Sequence, residues 1–217
     1  MIDEAEHNLF YHANGFDHPK LAVIANYEQL ALYHFRWGLI PAFIKTFEDA
    51  LKISHLTLNA KSETIFDKPA FRNSIMKQRC IIPVNGFFEW KHVGKEKVPY
   101  FIHPKEHDFF LLAGVYSHWM DKQHNTLVST FSIITTAANE LMSDIHNTKK
   151  RMPLILDPRN MNAWIDEGLP KSGIIELMQG CDDTQMAAYP ISKIISSKTV
   201  NSDIPEITEQ VDLYTLF

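Results

Sequence analysis

At 217 residues, with 45% hydrophobic and 22% charged side chains, the chain can build one substantial core and is too apolar to stay disordered. No apolar run reaches the length of a bilayer span, and Met1-Ile2-Asp3-Glu4-Ala5-Glu6-His7 is acidic and lacks the apolar stretch of a secretory signal. A net charge of -5 argues against nucleic acid as a partner until the distribution of that charge is considered.

Leu21 to Ile24 and Leu30 to Trp37 have strand character, and Gly38-Leu39-Ile40-Pro41 marks a turn after the second. Lys68 to Gln78 sets Phe71, Ile75 and Met76 at helical spacing. Cys80 to Val84 and Phe87 to Trp90 are apolar runs on either side of Asn85-Gly86, a strong turn signal. Pro83 cannot donate to a ladder, so a bent or edge pairing is expected there rather than a regular central hairpin. Further strands are predicted at Tyr100 to His103, Phe109 to Tyr116 and Val128 to Thr135. Thr136 is predicted to cap a helix running to about Ile145, with Glu140 near its positive end. Asp157-Pro158 combines a capping aspartate with a first-turn proline, and Met161, Trp164 and Ile165 give the helix that follows its buried side. Ser172 to Gln179 completes the pattern as a short helix. No linker, repeat or low-complexity tract interrupts it, so the expectation is one α+β domain over residues 1–217. Its core would be a curved, mostly antiparallel, barrel-like sheet with peripheral helices.

The chemistry is dispersed. Glu89 lies between Phe88 and Trp90, and a carboxylate held against aromatic surface loses hydration, which raises its pKa and suits it to proton transfer near neutral pH. The plainer alternative is a half-buried strand whose Glu89 points to solvent. Cys80 and Cys181 form no CxxC and no disulfide framework, which fits a reducing cytoplasm, and each is expected to act as a small buried hydrophobe. There is no GxGxxG, P-loop or GxSxG motif. Among eleven histidines, His103 and His107 are four apart, but Pro104 breaks the helix a metal pair would need, so neither metal nor cofactor is expected. Lys68, Arg72, Lys77 and Arg79 form a basic stretch without an acid, Lys149-Lys150-Arg151 forms another, and Asp203, Glu206, Glu209 and Asp212 make the C-terminal part acidic. These are either solvated surface runs or a local phosphate-binding field. His146, just ahead of the second basic cluster, is either structural or the partner of Glu89 in one cleft.

An ordered set of short motifs resembles one family. It comprises Trp37-Gly38-Leu39-Ile40-Pro41, Asn59-Ala60-Lys61-Ser62-Glu63-Thr64, Lys68-Pro69-Ala70-Phe71-Arg72 and Arg79-Cys80-Ile81-Ile82-Pro83. Gly86-Phe87-Phe88-Glu89-Trp90, Ala113-Gly114, Thr135-Thr136-Ala137-Ala138 and His146 with Arg151-Met152-Pro153 follow, and Tyr189-Pro190-Ile191-Ser192 with Val200-Asn201 completes it. The chain resembles the SOS response-associated peptidase (SRAP) family of abasic-site processing proteins. The resemblance implies a monomeric protein with a groove for single-stranded DNA containing abasic sites, no membrane association and no cofactor. In the family, an N-terminal cysteine freed by removal of the initiator Met forms a Schiff base with the opened deoxyribose, and its thiol then closes a thiazolidine.

By this resemblance Asn59 positions the N-terminal residue and opened sugar, Glu89 is the acid/base, and His146 moves protons at the deoxyribose. Lys61 and Arg151 match phosphate contacts, and Trp90 matches a groove residue beside the damaged nucleotide. Arg72, Arg79, Lys149 and Lys150 would extend the DNA-binding face. Three departures stand out. Lys61 replaces the usual Arg and loses its planar fork. Asn147-Thr148-Lys149-Lys150 lengthens the connection between His146 and Arg151. Residue 2 is Ile, and Tyr11-His12-Ala13-Asn14-Gly15 resembles a stretch well inside other members. The family's Met-Cys segment is therefore expected to be missing from this sequence through start-site assignment, shortening or a natural short form. Two further readings stay open: a non-covalent single-strand binder, and a peptidase acting on other proteins.

Overall fold

The structure, a computed structural model, describes residues 9–213; Met1 and Ile2, the departure from the family's Met-Cys start, lie outside the described residues. In chain order the elements are β1 (Lys20–Asn26), β2 (Leu30–Trp37), α1 (Phe47–Leu56), β3 (Asn59–Lys61), α2 (Ser74–Lys77), β4 (Arg79–Val84), β5 (Phe87–Val93) and β6 (Glu96–Pro104). They continue with β7 (Phe110–Asp121), β8 (Thr126–Ala137), α3 (Glu140–Ile145), β9 (Arg151–Pro153), α4 (Met161–Ile165), α5 (Lys171–Leu177) and β10 (Met186–Pro190).

Strands β2-β1-β4-β7-β8 pair in that order, and a parallel contact of β8 with β2 at Arg36↔Thr130 and Trp37↔Phe131 closes them into a five-stranded barrel. The other barrel pairings are antiparallel, while β3 and β9 extend from β8. This is the α+β barrel expected from the sequence. A second sheet, β10-β6-β5, stands beside it.

Strand β7 shows why the apolar run is continuous. Its Leu112 and Tyr116 join Val23, Phe35, Cys80 and Phe131 in one core. The alternate residues Leu111, Ala113 and Val115 face a second core built with Phe71, Ile75, Trp164 and Ile174 from the helical layer. A strand covered on both sides has no polar face to present.

Several local expectations shift in register. Asn85-Gly86 does not join a hairpin: β4 pairs with β7 and β5 with β6, so this turn passes the chain from barrel to second sheet. Pro83 sits beyond the β1 pairing of β4, which involves only Cys80 and Ile81, so its missing N–H disrupts no central ladder. The helix predicted over Lys68 to Gln78 is a series of turns followed by α2, with only Ser74–Lys77 α-helical. Phe71 and Ile75 are nevertheless buried as their spacing requires. The cap of α3 is Asn139, whose side chain accepts from Met142 N at 2.9 Å, and not Thr136, which is still paired with Met152 inside β8. Asp157 caps its helical turn by accepting from Arg159 N at 2.8 Å, and Trp164 and Ile165 are buried. Cys80 is buried, and Cys181 is partly so.

Gly38 leaves the barrel with φ +109° while its N–H donates to Phe131 O at 2.9 Å. A Cβ there would stand 2.6 Å from His18 Nδ1 and 2.8 Å from Ser54 O. Gly38→Ala is therefore expected to cost about 2–4 kcal/mol, combining left-handed strain with overpacking. Urea unfolding followed by circular dichroism would measure it; an unchanged midpoint would contradict this account. Among the described residues no helix is long and apolar enough to cross a membrane.

Candidate functional site

Glu89 stands on β5 opposite Tyr100 of β6. His146 follows α3 directly, its N–H donating to Met142 O at 2.8 Å. The four residues after it fold into a closed turn: Lys150 adopts φ +51°, its N–H donates to His146 O at 2.9 Å, and its carbonyl accepts from Ala138 N at 3.0 Å. The lengthened connection thus returns the chain to its starting point, and His146 Nδ1 donates to Arg151 O at 2.9 Å. The same Nδ1 lies 3.4 Å from Glu89 Oε1, with side-chain exposures of 19% and 22%. Because the carbonyl holds the Nδ1 proton, Nε2 carries the lone pair in the neutral ring.

Burial raises the Glu89 carboxyl above the ordinary glutamate range; the His146 ring, the Trp90 N–H and Lys149 each offset this in part. A carboxyl that keeps its proton unusually long, touching an imidazole, can both give and take protons. The pair opens onto a cleft of about 420 Å³. Trp90, His92 and Lys97 of the second sheet form one wall, Thr148 and Lys149 of the closed turn the other, with Ser196 beside Trp90. The Trp90 indole is held by donating Nε1–H to Ser196 Oγ at 2.9 Å and by packing on the cluster of Phe101, Ile191, Ile195 and Ile207.

The other candidates divide clearly. Lys149 lines the cleft, and Lys150 is exposed next to it. Asn59 and Lys61 flank buried Ala60 on β3 and are exposed, but they do not line the cleft. Arg72 is exposed. Arg151 connects the two regions: Nη1 bonds Glu63 Oε1 at 2.5 Å, Nη2 donates to Thr135 O and Oγ1 at 2.6 and 3.1 Å, and its backbone carbonyl holds His146. That guanidinium keeps Glu63 below the usual carboxylate range. Arg151 is thus mainly an internal brace between the β3 segment and His146.

Arg79 is a correction. It is 2% exposed, and its guanidinium donates to Trp164 O at 2.6 Å, Ile75 O at 2.8 Å, Met76 O at 2.7 Å and Asp166 O. It ties the ends of α2 and α4 to the barrel and cannot meet a phosphate. Charge counting overlooks this because a buried arginine and a surface arginine read alike in sequence.

Sequence reasoning missed His92, Lys97, Thr148 and Ser196. His92 and Lys97 face each other across the β5–β6 hairpin, which turns at Gly94 with φ +61°, so their pairing had a local signal. Ser196 had none. The N-terminal part of the described chain also meets this region: the His12 ring sits edge-on to Phe88 at 5.2 Å, and Asp203 accepts from Tyr11 N and His12 N at 2.6 and 3.0 Å. Part of the acidic C-terminal segment is thereby used internally.

Known proteins share this architecture. A crystal structure of a protein from Bacteroides thetaiotaomicron superimposes with a TM-score of 0.88 at 41% identity, covering 93% of this chain and 85% of that one. YoqW of Bacillus subtilis (strain 168), named an abasic site processing protein, is 38% identical over 191 residues, which is 87% of this chain and 81% of YoqW. HMCES of Gallus gallus, given the same description, is 30% identical over 210 residues, spanning 87% of this chain and 60% of HMCES. The family described as SOS response associated peptidase (SRAP) matches residues 3–198. With that match and these identities, the chain belongs to the SRAP family.

Proposed function

We propose that this chain is an abasic site processing protein that acts as a single domain and a monomer on single-stranded DNA. The observation that carries this reading is the half-buried Glu89 carboxyl, 3.4 Å from His146 Nδ1, on a cleft bordered by Lys97, Lys149 and Trp90. Imine formation between an amine and the opened sugar aldehyde makes a C–N bond and releases water. Both amine protons end on the aldehyde oxygen: one passes across as the carbinolamine forms, and its dehydration then needs a proton delivered to the departing hydroxyl and one removed from the nitrogen. The raised carboxyl suits the first task and the Nε2 lone pair of His146 the second. A thiol on the same residue then adds across the C=N bond, forming C–S as its proton passes to nitrogen. The nucleophile would be a family-type N-terminal cysteine, which position 2 of this sequence, Ile2, does not supply. Cys80 and Cys181 have no α-amine, and burial raises both thiols, Cys181 to about 11.

The test compares two proteins, residues 1–217 as written and a form beginning Met-Cys, each incubated with abasic single-stranded DNA. Both are expected to bind, and only the cysteine form to give an adduct that survives denaturation. A stable adduct from residues 1–217 would refute the thiazolidine route, and failure of both to bind would refute the function. Cleavage of an unrelated protein, lost in Glu89→Gln, would favour a peptidase instead.

With Lys61, Arg72, Lys149 and Lys150 as four phosphate contacts, log affinity should fall against log salt with a slope of about -3, or about 50-fold between 50 and 200 mM. Fluorescence anisotropy with a labelled strand measures this. A flat dependence would remove these lysines and this arginine from the interface.

A further inference from the structure

Among the described residues β5 has one strand partner, β6, so its other edge presents unpaired backbone groups. At His92 those groups are satisfied by one side chain. His92 N donates to Asn147 Oδ1 at 3.1 Å, and Asn147 Nδ2 donates to His92 O at 2.9 Å. A carboxamide has the same donor and acceptor as a peptide group, so Asn147 pairs with the edge as a single residue of a neighbouring strand would. Asn147 immediately follows His146, and His92 lies on the strand that carries Glu89.

We propose that Asn147 is a positioning residue: by docking on the free edge of β5 it holds the His146 imidazole against the Glu89 carboxyl. A second link between the same elements, Lys91 Nζ to Asp144 Oδ2 at 2.5 Å, involves a carboxylate that is 68% exposed and is correspondingly screened by salt. The Asn147 clamp is part-buried and uncharged, so it holds at any ionic strength. Four intervening residues make this possible, because Asn147 reaches β5 while Lys150 closes the turn onto His146. The clamp itself is a structural inference; its bearing on catalysis rests on the function proposed above.

The test needs no DNA. In the intact protein, NMR should show a slowly exchanging His92 amide and His146 ring resonances that show an inflection as Glu89 ionises, identified by its loss in Glu89→Gln. Lys149 on the same turn and His92 and Lys97 across the cleft also face the pair, and the Glu89→Gln control separates their contributions from that of Glu89. Asn147→Ala should raise His92 amide exchange by about tenfold or more and abolish the Glu89 inflection in the His146 ring signals. Lys91→Ala, which removes only the exposed ion pair, should preserve both signals. Should Asn147→Ala fail to fold, Asn147→Asp keeps the acceptor and loses the donor, and a partial loss of both signals is expected. Retention of the protected amide and the inflection in these Asn147 variants would overturn the proposal. In the cysteine-bearing form, adduct formation by Asn147→Ala should slow about tenfold with DNA affinity unchanged. An unchanged rate despite lost coupling would refute the catalytic use of the Glu89–His146 pair and leave the clamp standing.

Discussion

Glu89→Gln in the cysteine-bearing form is expected to slow adduct formation by about 10²–10⁴-fold, the usual worth of a positioned acid or base, with single-strand affinity within about twofold of the parent. Glutamine keeps the shape of the side chain and loses only the ability to titrate. Stability should move in the opposite direction. Burial raises the folded-state pKa of Glu89, so between the unfolded and folded values the native state binds more protons and loses stability as pH rises. Above the folded value the full cost of an ionised, half-buried carboxylate is present. Glu89→Gln should therefore be the more stable protein at pH 7, and the advantage should vanish as pH falls to the ordinary carboxylate range of about 4. Denaturant unfolding at several pH values, beside single-turnover adduct kinetics, checks both. If the variant were less stable at pH 7 and equally active, Glu89 would be a structural ion-pair partner of His146 and not an acid/base.

The second large effect concerns Arg79. Arg79→Ala should destabilise the fold by about 3–5 kcal/mol, because four carbonyls lose a shared cationic donor inside the protein. For a chain of this size that corresponds to a fall in Tm of roughly 6–20 °C. Single-strand affinity measured well below the transition should stay within about twofold, since the side chain reaches no surface. Differential scanning calorimetry with anisotropy distinguishes the possibilities: normal stability with lost DNA binding would return Arg79 to the interface. The contrast with Lys149 is instructive. Both belong to runs that look alike by charge, yet one lines an open cleft and the other joins two helix ends to β4.

Much of the barrel is legible in the sequence. The apolar run of β7, the strand over Val128 to Thr135, the Asp157-Pro158 helix start and the burial of Phe71 and Ile75 all follow from composition, periodicity or caps acting over a few residues. Local signals mislead where a long-range partner competes. Asn85-Gly86 is a genuine turn, but β7 rather than β5 provides the ladder for β4. Thr136 is a competent cap, but β9 keeps it in a strand, and Asn139 takes the role three residues later.

For the candidate site, Glu89 is marked locally by its aromatic neighbours, and His146 by its place in the ordered motif set. Nothing local indicates that the turn after His146 closes on itself, that Asn147 reaches His92 across 55 positions, or that Arg151 turns inward to Glu63 and Thr135. By itself, then, the sequence determined the strands of six residues or more, the helix start at Asp157-Pro158 and the family, because these are written in spacing and motif order, while the helix α1 and the short strands β3, β9 and β10 were not read from it. Only the tertiary structure decided which charges are buried, which face a cleft, and that a carboxyl and an imidazole meet there. Those outcomes depend on desolvation and on contacts between distant strands, which no window of neighbouring residues contains.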